Sequence, residues 1–248
     1  MNLALKVIQF QLIRVIKLLK SLILRNRYLA KLLNKKSFGL NNLDQKIITI
    51  IGTKPGYFIE LGANDGITQS NTKALELFYG WKGLLIEPIP RLARECRRNR
   101  NRKSQVVNGA CVSFSYTGDT IRMAYSGLMS ILLEGKNDFV DPLEHAKQGS
   151  KYLRENESVI EIEVPARTLQ DILTSVKAPP IIDLFSLDVE GAEFEVLEGI
   201  DFDSYQFRWI VIETRNPSQM QEFLASKGYQ LAETLSHHDY IYRNVNLS

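Results

Sequence analysis

Cysteine is nearly absent. Cys96 and Cys111 are the only two in 248 residues, and they lack CxxC or Cys/His spacing. Neither a disulfide framework nor a zinc site is expected, and a reducing compartment fits best. Long apolar runs are absent too. Near the N-terminus a charge interrupts every hydrophobic stretch well before the roughly 20 residues that a membrane-spanning helix needs. A continuous h-region followed by a small-residue cleavage site is missing, which argues against a secretory signal peptide. No internal repeat or low-complexity tract appears. Net charge is +3, too small by itself to argue for nucleic acid. What remains is an ordinary globular composition, 44% hydrophobic and 24% charged. The length suits one large domain, or one domain with an appendage, in the cytoplasm.

Acid is also missing from one segment. Residues 1–36, "MNLALKVIQFQLIRVIKLLKSLILRNRYLAKLLNKK", contain no Asp or Glu. Lys6, Lys17, Lys20, Arg27, Lys31 and Lys35 fall within a sector of about 80° on a helical wheel. Ile8, Leu12, Val15, Leu19, Leu22, Ile23 and Leu33 occupy the other side. This pattern predicts a basic amphipathic helix. Two readings follow: peripheral contact with a membrane surface through residues 1–36, or packing on the domain or a second subunit. "NKKSFGLNN" (34–42) reads as a polar hinge leading to a domain over 37–248.

Within the domain, apolar strand-like runs alternate with helical patterns. The strands are expected at 56–61, 83–88, 104–113, 181–189 and 207–214, and the helices at 71–79, 90–100, 192–198 and 217–227. That rhythm predicts βαβ units, an α/β fold and a mostly parallel sheet. The tail departs from it. "YQLAETL" and "DYIYRN" are separated by a gap suited to an antiparallel hairpin. Residues 115–165 break the rhythm as well and read as an insertion, part of it a lid or substrate loop.

Parallel sheets bind ligands at the carboxyl ends of their strands. Here those ends are polar: Glu60-Leu61-Gly62-Ala63-Asn64-Asp65-Gly66, Glu87-Pro88, Asn108-Gly109-Ala110, Asp188-Val189-Glu190-Gly191 and Glu213-Thr214-Arg215-Asn216. A structural sheet has no need of a carboxylate at four of five exits. Glu87 follows Gly66 at the spacing of an acid that accepts hydrogen bonds from ribose hydroxyls. A pyrophosphate would call for GxGxxG, but position 64 is Asn, and Glu60 before the turn would repel the anion. This disfavours a nicotinamide-linked oxidoreductase. Glu60 suits a cationic amino group instead. A cofactor with an ammonium, a sulfonium and a ribose but no phosphate fits, which is S-adenosylmethionine.

"FIELGANDG", "LLIEP", "LFSLDVEGAEFEVLEGI" and "WIVIETRN" resemble the FkbM-type S-adenosylmethionine-dependent methyltransferases. "SNT" and "GW-GLLIEP" bring the chain nearer the Star-like branch. The likeness runs from about 56 to 243, and Ser186 departs from it where many relatives have Lys. The resemblance implies a Rossmann-like class I methyltransferase fold, a seven-stranded sheet ending in an antiparallel hairpin. It implies that Glu60 and the turn Gly62–Gly66 (with Ala63, Asn64 and Asp65) hold the methionine amino and carboxyl ends. Ser70 or Asn71 is expected to help at the start of the following helix. Glu87, followed by Pro88, would hold the ribose, Asn108, Gly109 and Ala110 would lie by the adenine, and Asp188 by the methionine or the reacting centre.

An alcohol acceptor benefits from a base or a metal that takes its proton. The candidates are Asp188, Glu190, Glu193 and Glu213, with Asp188, Glu213 and Asn216 as an Mg²⁺ set of hard oxygen ligands. His237 or His238 in the hairpin turn could serve as a base, and Tyr125, Ser126 and Met129 could touch the acceptor. "RLARECRRNRNRK" (91–103) is basic but lacks aromatics for base stacking, so it reads as a solvated helix face and nucleic acid is not the expected partner. The expected activity is O-methylation of a sugar or other small alcohol. The alternative is a non-catalytic, membrane-associated binding or trafficking protein that keeps the fold.

Overall fold

The computed structural model describes residues 36–247, so the arm read over 1–36 lies outside the described residues except for Lys36. The chain enters tied down. The Ser37 hydroxyl and the Phe38 amide both donate to the buried carboxylate of Asp44, in the first turn of α1 (Leu43–Ile51). The hinge expected over 34–42 is therefore, from residue 36 onward, a pinned segment.

The elements then follow in order. They are β1 (Tyr57–Leu61), α2 (Lys73–Tyr79), β2 (Lys82–Glu87), α3 (Pro90–Asn99), β3 (Gln105–Asn108), β4 (Ala110–Val112), β5 (Thr120–Tyr125) and β6 (Ile131–Leu132). After them come α4 (Pro142–Gln148), β7 (Ile160–Thr168), α5 (Leu169–Ser175), β8 (Ile181–Leu187), α6 (Glu193–Leu197), β9 (Gln206–Glu213), α7 (Pro217–Ser226), β10 (Tyr229–Thr234) and β11 (Asp239–Asn244). Seven strands form one sheet in the order β10-β11-β9-β8-β1-β2-β3. β9, β8, β1, β2 and β3 are parallel, and β11 is antiparallel to both of its neighbours. This is the expected architecture, hairpin included.

The central strands are apolar throughout because both faces are covered. Successive side chains alternate between two cores. Ile59, Leu61, Leu84, Ile86 and Phe185 meet Ile172 of α5, Val196 of α6 and Leu224 of α7. Phe58, Leu85, Leu184 and Val211 meet Ile47 of α1, Leu75 of α2 and Cys96 of α3. The chain runs outward through β1, β2 and β3, then returns to build β8 and β9 on the other side of β1. That reversal between β1 and β8 is the switch point where such sheets open a crevice.

One expected strand proves to be two. The run at 104–113 breaks at Gly109, with Gln105–Asn108 in the main sheet and Ala110–Val112 in a second, four-stranded sheet of order β4-β7-β5-β6. Pro88 ends β2 and offers no amide to continue its ladder. Instead the Asn108 side chain donates to the carbonyls of Glu87 and Pro88, and the chain leaves the sheet. The 115–165 insertion supplies most of the second sheet. Ile121, Met123 and Val164 pack there against Ile89 and Leu92 of the main body. Among the described residues, no helix is long and apolar enough to cross a membrane.

Candidate active site

A cavity of about 400 Å³ opens at the carboxyl ends of β1, β2, β8 and β9. Gly62, Asn64, Asn71, Glu87, Pro88, Gly109, Ala110, Asp188, Glu190 and Glu213, all expected from sequence, line it. The insertion contributes Met123, Leu128, Met129 and Tyr152, and the entry segment contributes Leu40 and Leu43.

The first wall is the glycine turn. Gly62 has φ +75°, and a Cβ there would lie 2.0 Å from the Asp188 carbonyl oxygen, so only glycine lets the ends of β1 and β8 come this close. Beyond it, Asn64 donates its amide to Glu87 Oε2 (2.7 Å) and Ile89 donates to Oε1 (2.8 Å). Glu87 is thus held at two points with lone pairs to spare, on the cavity wall. Burial pushes its pKa up to about 7, against the pull of those two amides.

Glu60 is a correction. Its side chain does not reach the cavity. It accepts from Ser70 Oγ (2.9 Å), the Asn71 amide (2.8 Å) and Thr72 Oγ1 (2.6 Å), and it is ion-paired with Arg100. All of these groups are buried, so the carboxylate has its counter-ion already and none of it is left for a cofactor ammonium. Ser70 is corrected with it, since its hydroxyl also accepts from the amides of Thr72 and Lys73 and shapes the entry to α2. Ala63, Asp65 and Gly66 are likewise off the cavity wall. Asp65 Oδ1 accepts from the amides of Ile67 and Thr68, which closes the turn locally. Arg100→Ala, which strands the buried Glu60 charge, is expected to cost about 3–5 kcal/mol, measured by urea unfolding.

The residue that does present an open polar atom here is Asn71. Its amide nitrogen donates to Ser186 Oγ (3.0 Å), and its Oδ1, buried on the cavity wall, has no partner within the protein. An unpaired buried carbonyl oxygen suits an N–H donor from a ligand. Asn71 Oδ1, the two-point Glu87 carboxyl and the Gly62 and Gly109 walls together fit an amino-acid-bearing nucleoside such as S-adenosylmethionine.

The opposite wall comes from "DVEGAE". Asp188 is surrounded by protein but solvent-accessible at the cavity it lines. Glu190 adopts φ +56°, a left-handed conformation that costs a β-carbon-bearing residue about 1–2 kcal/mol, and Gly191 has φ +93°. The insertion clasps this turn. The Asp138 amide donates to the Gly191 carbonyl (2.8 Å), and a Cβ on Gly191 would strike the Phe139 ring at 2.9 Å. Glu193 accepts from the amides of Val189 and Gly191, so its role is to close the turn, not to act as the base considered for it. Glu195 ties the Ser113 and Lys136 amides together from below.

Asp188 and Glu213 each follow one of a pair of facing residues, Leu187 and Ile212, at the carboxyl ends of β8 and β9, so both carboxyls lie on the same cavity wall and feel each other's charge. Burial first, then the charges of Glu213 and Glu190, hold Asp188 well above the usual carboxylate range. Burial, with Glu213, lifts Glu190 to about 8 while Arg215 opposes the shift. Burial raises Glu213 too, with Asp239 adding to it. Glu190 Oε2 also meets Nε2 of His145 at 3.1 Å, and His145 is stacked on Phe139 with ring centroids 3.8 Å apart. Burial, then Arg215, lowers the His145 pKa. His145 was missed in the sequence. The signal for its helix was present, since Asp141-Pro142-x-Glu144 is an N-terminal cap and Asp141 does accept from the Glu144 amide.

The proposed Mg²⁺ set does not fit. Asn216 is off the cavity wall, which leaves only Asp188 and Glu213 of the three facing the cavity. Among the described residues no group of three or more His, Cys, Asp or Glu could hold a metal ion. Asn108 is corrected too, because both contacts of its side-chain amide are to the Glu87–Pro88 backbone. His237 and His238 are exposed in the β10–β11 turn, away from the cavity wall. Tyr125 bonds Glu157, and Ser126 bonds the Ala146 carbonyl. Of the three insertion residues picked out, only Met129 lines the cavity.

The raised carboxyls carry a stability signature. Glu87, Glu193 and Glu190 have folded pKa values of about 7, 7 and 8, above the unfolded value near 4.5. The fold is therefore favoured while they are protonated, and that contribution is lost as pH rises through 7–8. Glu87 alone accounts for on the order of 3 kcal/mol. The urea midpoint of the ligand-free protein is expected to fall steadily from pH 5 to pH 8.5, and a flat profile would contradict this site.

The chain is 27% identical over 194 residues to "Methyltransferase sdnD" of Sordaria araneosa, covering 71% of this chain and 74% of that protein. Among solved structures it is similar in outline to the METTL16 methyltransferase domain, with a TM-score of 0.45 and 13% identity over 84% of this chain and 67% of that one. A second is precorrin-6y C5,15-methyltransferase of Geobacter metallireducens GS-15, with a TM-score of 0.37 and 11% identity over 80% and 87% of the two chains. The methyltransferase FkbM domain matches residues 60–242, most of the chain, from β1 to β11, and so includes every strand end that lines the cavity. The protein belongs to the FkbM methyltransferase family.

Proposed function

We propose that this methyltransferase transfers a methyl group from S-adenosylmethionine to a hydroxyl of a sugar or other small alcohol. The observation that carries the reading is the carboxyl cluster of Asp188, Glu190 and Glu213, brought together on one wall of the cavity at the ends of β8 and β9. S-adenosylmethionine supplies an electrophilic methyl group on a sulfonium. Glu87 would accept from the ribose hydroxyls, Asn71 Oδ1 from the ammonium, and the Gly109–Ala110 backbone would flank the adenine. A hydroxyl is a weak nucleophile until its proton is removed. A carboxylate whose basicity is raised toward the working pH removes it well. With that cofactor bound, transfer would join the acceptor oxygen to the methyl carbon as the carbon–sulfur bond breaks to a neutral thioether, and the carboxyl cluster would take the hydroxyl proton. The clasped Glu190–Gly191 turn holds these groups in place, and placement supplies much of the rate in a displacement.

Methyl-labelled S-adenosylmethionine incubated with hydroxyl, amine and thiol acceptors tests this. Label is expected on hydroxyl acceptors, and transfer should fall by about two to four orders of magnitude in Asp188→Asn. Label on amines or thiols alone would overturn the O-methyl reading.

A further inference from the structure

The mouth of the cavity is greasier than a sugar hydroxyl requires. Leu40 is 55% exposed and Tyr152 45% exposed, yet both line the cavity, with Leu43, Leu128 and Met129 deeper in. An apolar rim at the entrance of a polar site marks a surface that meets something apolar. The same rim is where residues 1–36 join the domain. Leu40 and Leu43 come directly after them, and Ser37 and Phe38 are fixed to Asp44. Lys36 is four residues from Leu40, so the arm enters within about 14 Å of the mouth.

Residues 1–36 hold nine Lys and Arg and no acid, whereas 37–248 hold 22 basic and 28 acidic residues. Attraction to an anionic surface is thus concentrated in a segment attached at the mouth. Lys36 and Lys151 are exposed there, and Lys151 lines the rim. A basic, acid-free sequence with an aliphatic face suits the plane of an anionic lipid headgroup layer.

We propose that the cavity mouth sits on an anionic membrane surface and that the acceptor is an amphiphile. Its hydroxyl lies at the carboxyl cluster, and its apolar chain passes Leu128, Tyr152 and Leu40 into the lipid. The amphiphile rests on the methyl-transfer reading above; the membrane orientation does not.

The test uses the full chain with single cysteines introduced as Leu40→Cys, Tyr152→Cys and, as the far control, Ile181→Cys. Ile181 begins β8, and its seven residues place it about 23 Å from the cavity end of that strand. Cys96 and Cys111 are buried with thiols pushed up to about 12, so a polarity-sensitive fluorophore will label the introduced thiol selectively. With phosphatidylcholine vesicles containing phosphatidylglycerol, the probes at 40 and 152 are expected to brighten several-fold and to be quenched by brominated acyl chains. The probe at 181 is expected not to change. Unchanged probes at 40 and 152, whether or not the protein floats with the vesicles, overturn the proposal, as does an equal response at 181. Lipid contact at the mouth in a chain that does not bind S-adenosylmethionine would keep the orientation and reject the methyl-transfer reading instead.

Discussion

Glu87→Ala is expected to fold and to bind S-adenosylmethionine at least about 100-fold more weakly. A hydrogen bond to a charged acceptor contributes about 1.5–3 kcal/mol, and two ribose hydroxyls would lose theirs. The variant also strands the Asn64 and Ile89 amides, which now donate to the two carboxylate oxygens. The glycine turn therefore loosens where it forms the cavity wall. Glu87→Gln keeps one acceptor oxygen and the shape, so its loss is expected to be smaller, about tenfold. Calorimetric titration of both variants, beside circular dichroism to confirm folding, checks the order. An alanine variant that binds like the parent would remove the ribose contact from the account.

The second large effect falls on folding. Gly62→Ala would place a methyl group 2.0 Å from the Asp188 carbonyl oxygen at φ +75°. Neither strand can retreat, because Leu61 and Leu187 are locked in register between β1 and β8. The expected loss is more than about 3 kcal/mol, combining overpacking with a left-handed alanine. Gly80→Ala separates the two causes. Gly80 has φ +76°, but nothing lies within 4 Å of where its Cβ would be, so only the dihedral cost of about 1–2 kcal/mol remains. Comparable urea midpoints for the two variants would show that the close approach of β1 and β8 is not the constraint.

The sites that could be read from sequence are those where strand and turn chemistry act locally. Parallel strands covered on both faces leave continuous apolar runs, and their polar exits mark one end of the sheet. Glu87, Asp188 and Glu213 could be placed at the cavity from that logic alone. Glu60 could not. Its counter-ion, Arg100, is 40 residues away in a basic run that looks like a solvated face. Helical phase held the missing signal, since Leu92, Ala93, Cys96 and Arg100 follow one buried stripe. The broken strand at Gly109 had a signal as well, a glycine inside an apolar run. What remained illegible is long-range. The Asp138–Phe139 clasp on Gly191 and the His145–Glu190 contact join an insertion to a motif about 50 residues away.

The measurement closest to the central claim is calorimetric titration of the full chain with S-adenosylmethionine, with and without a chelator. Saturable binding at one site is expected, unchanged by the chelator and at least about 100-fold weaker in Glu87→Ala. A folded parent chain that shows no binding would contradict it, because the cavity would then have the shape of a cofactor site without the affinity.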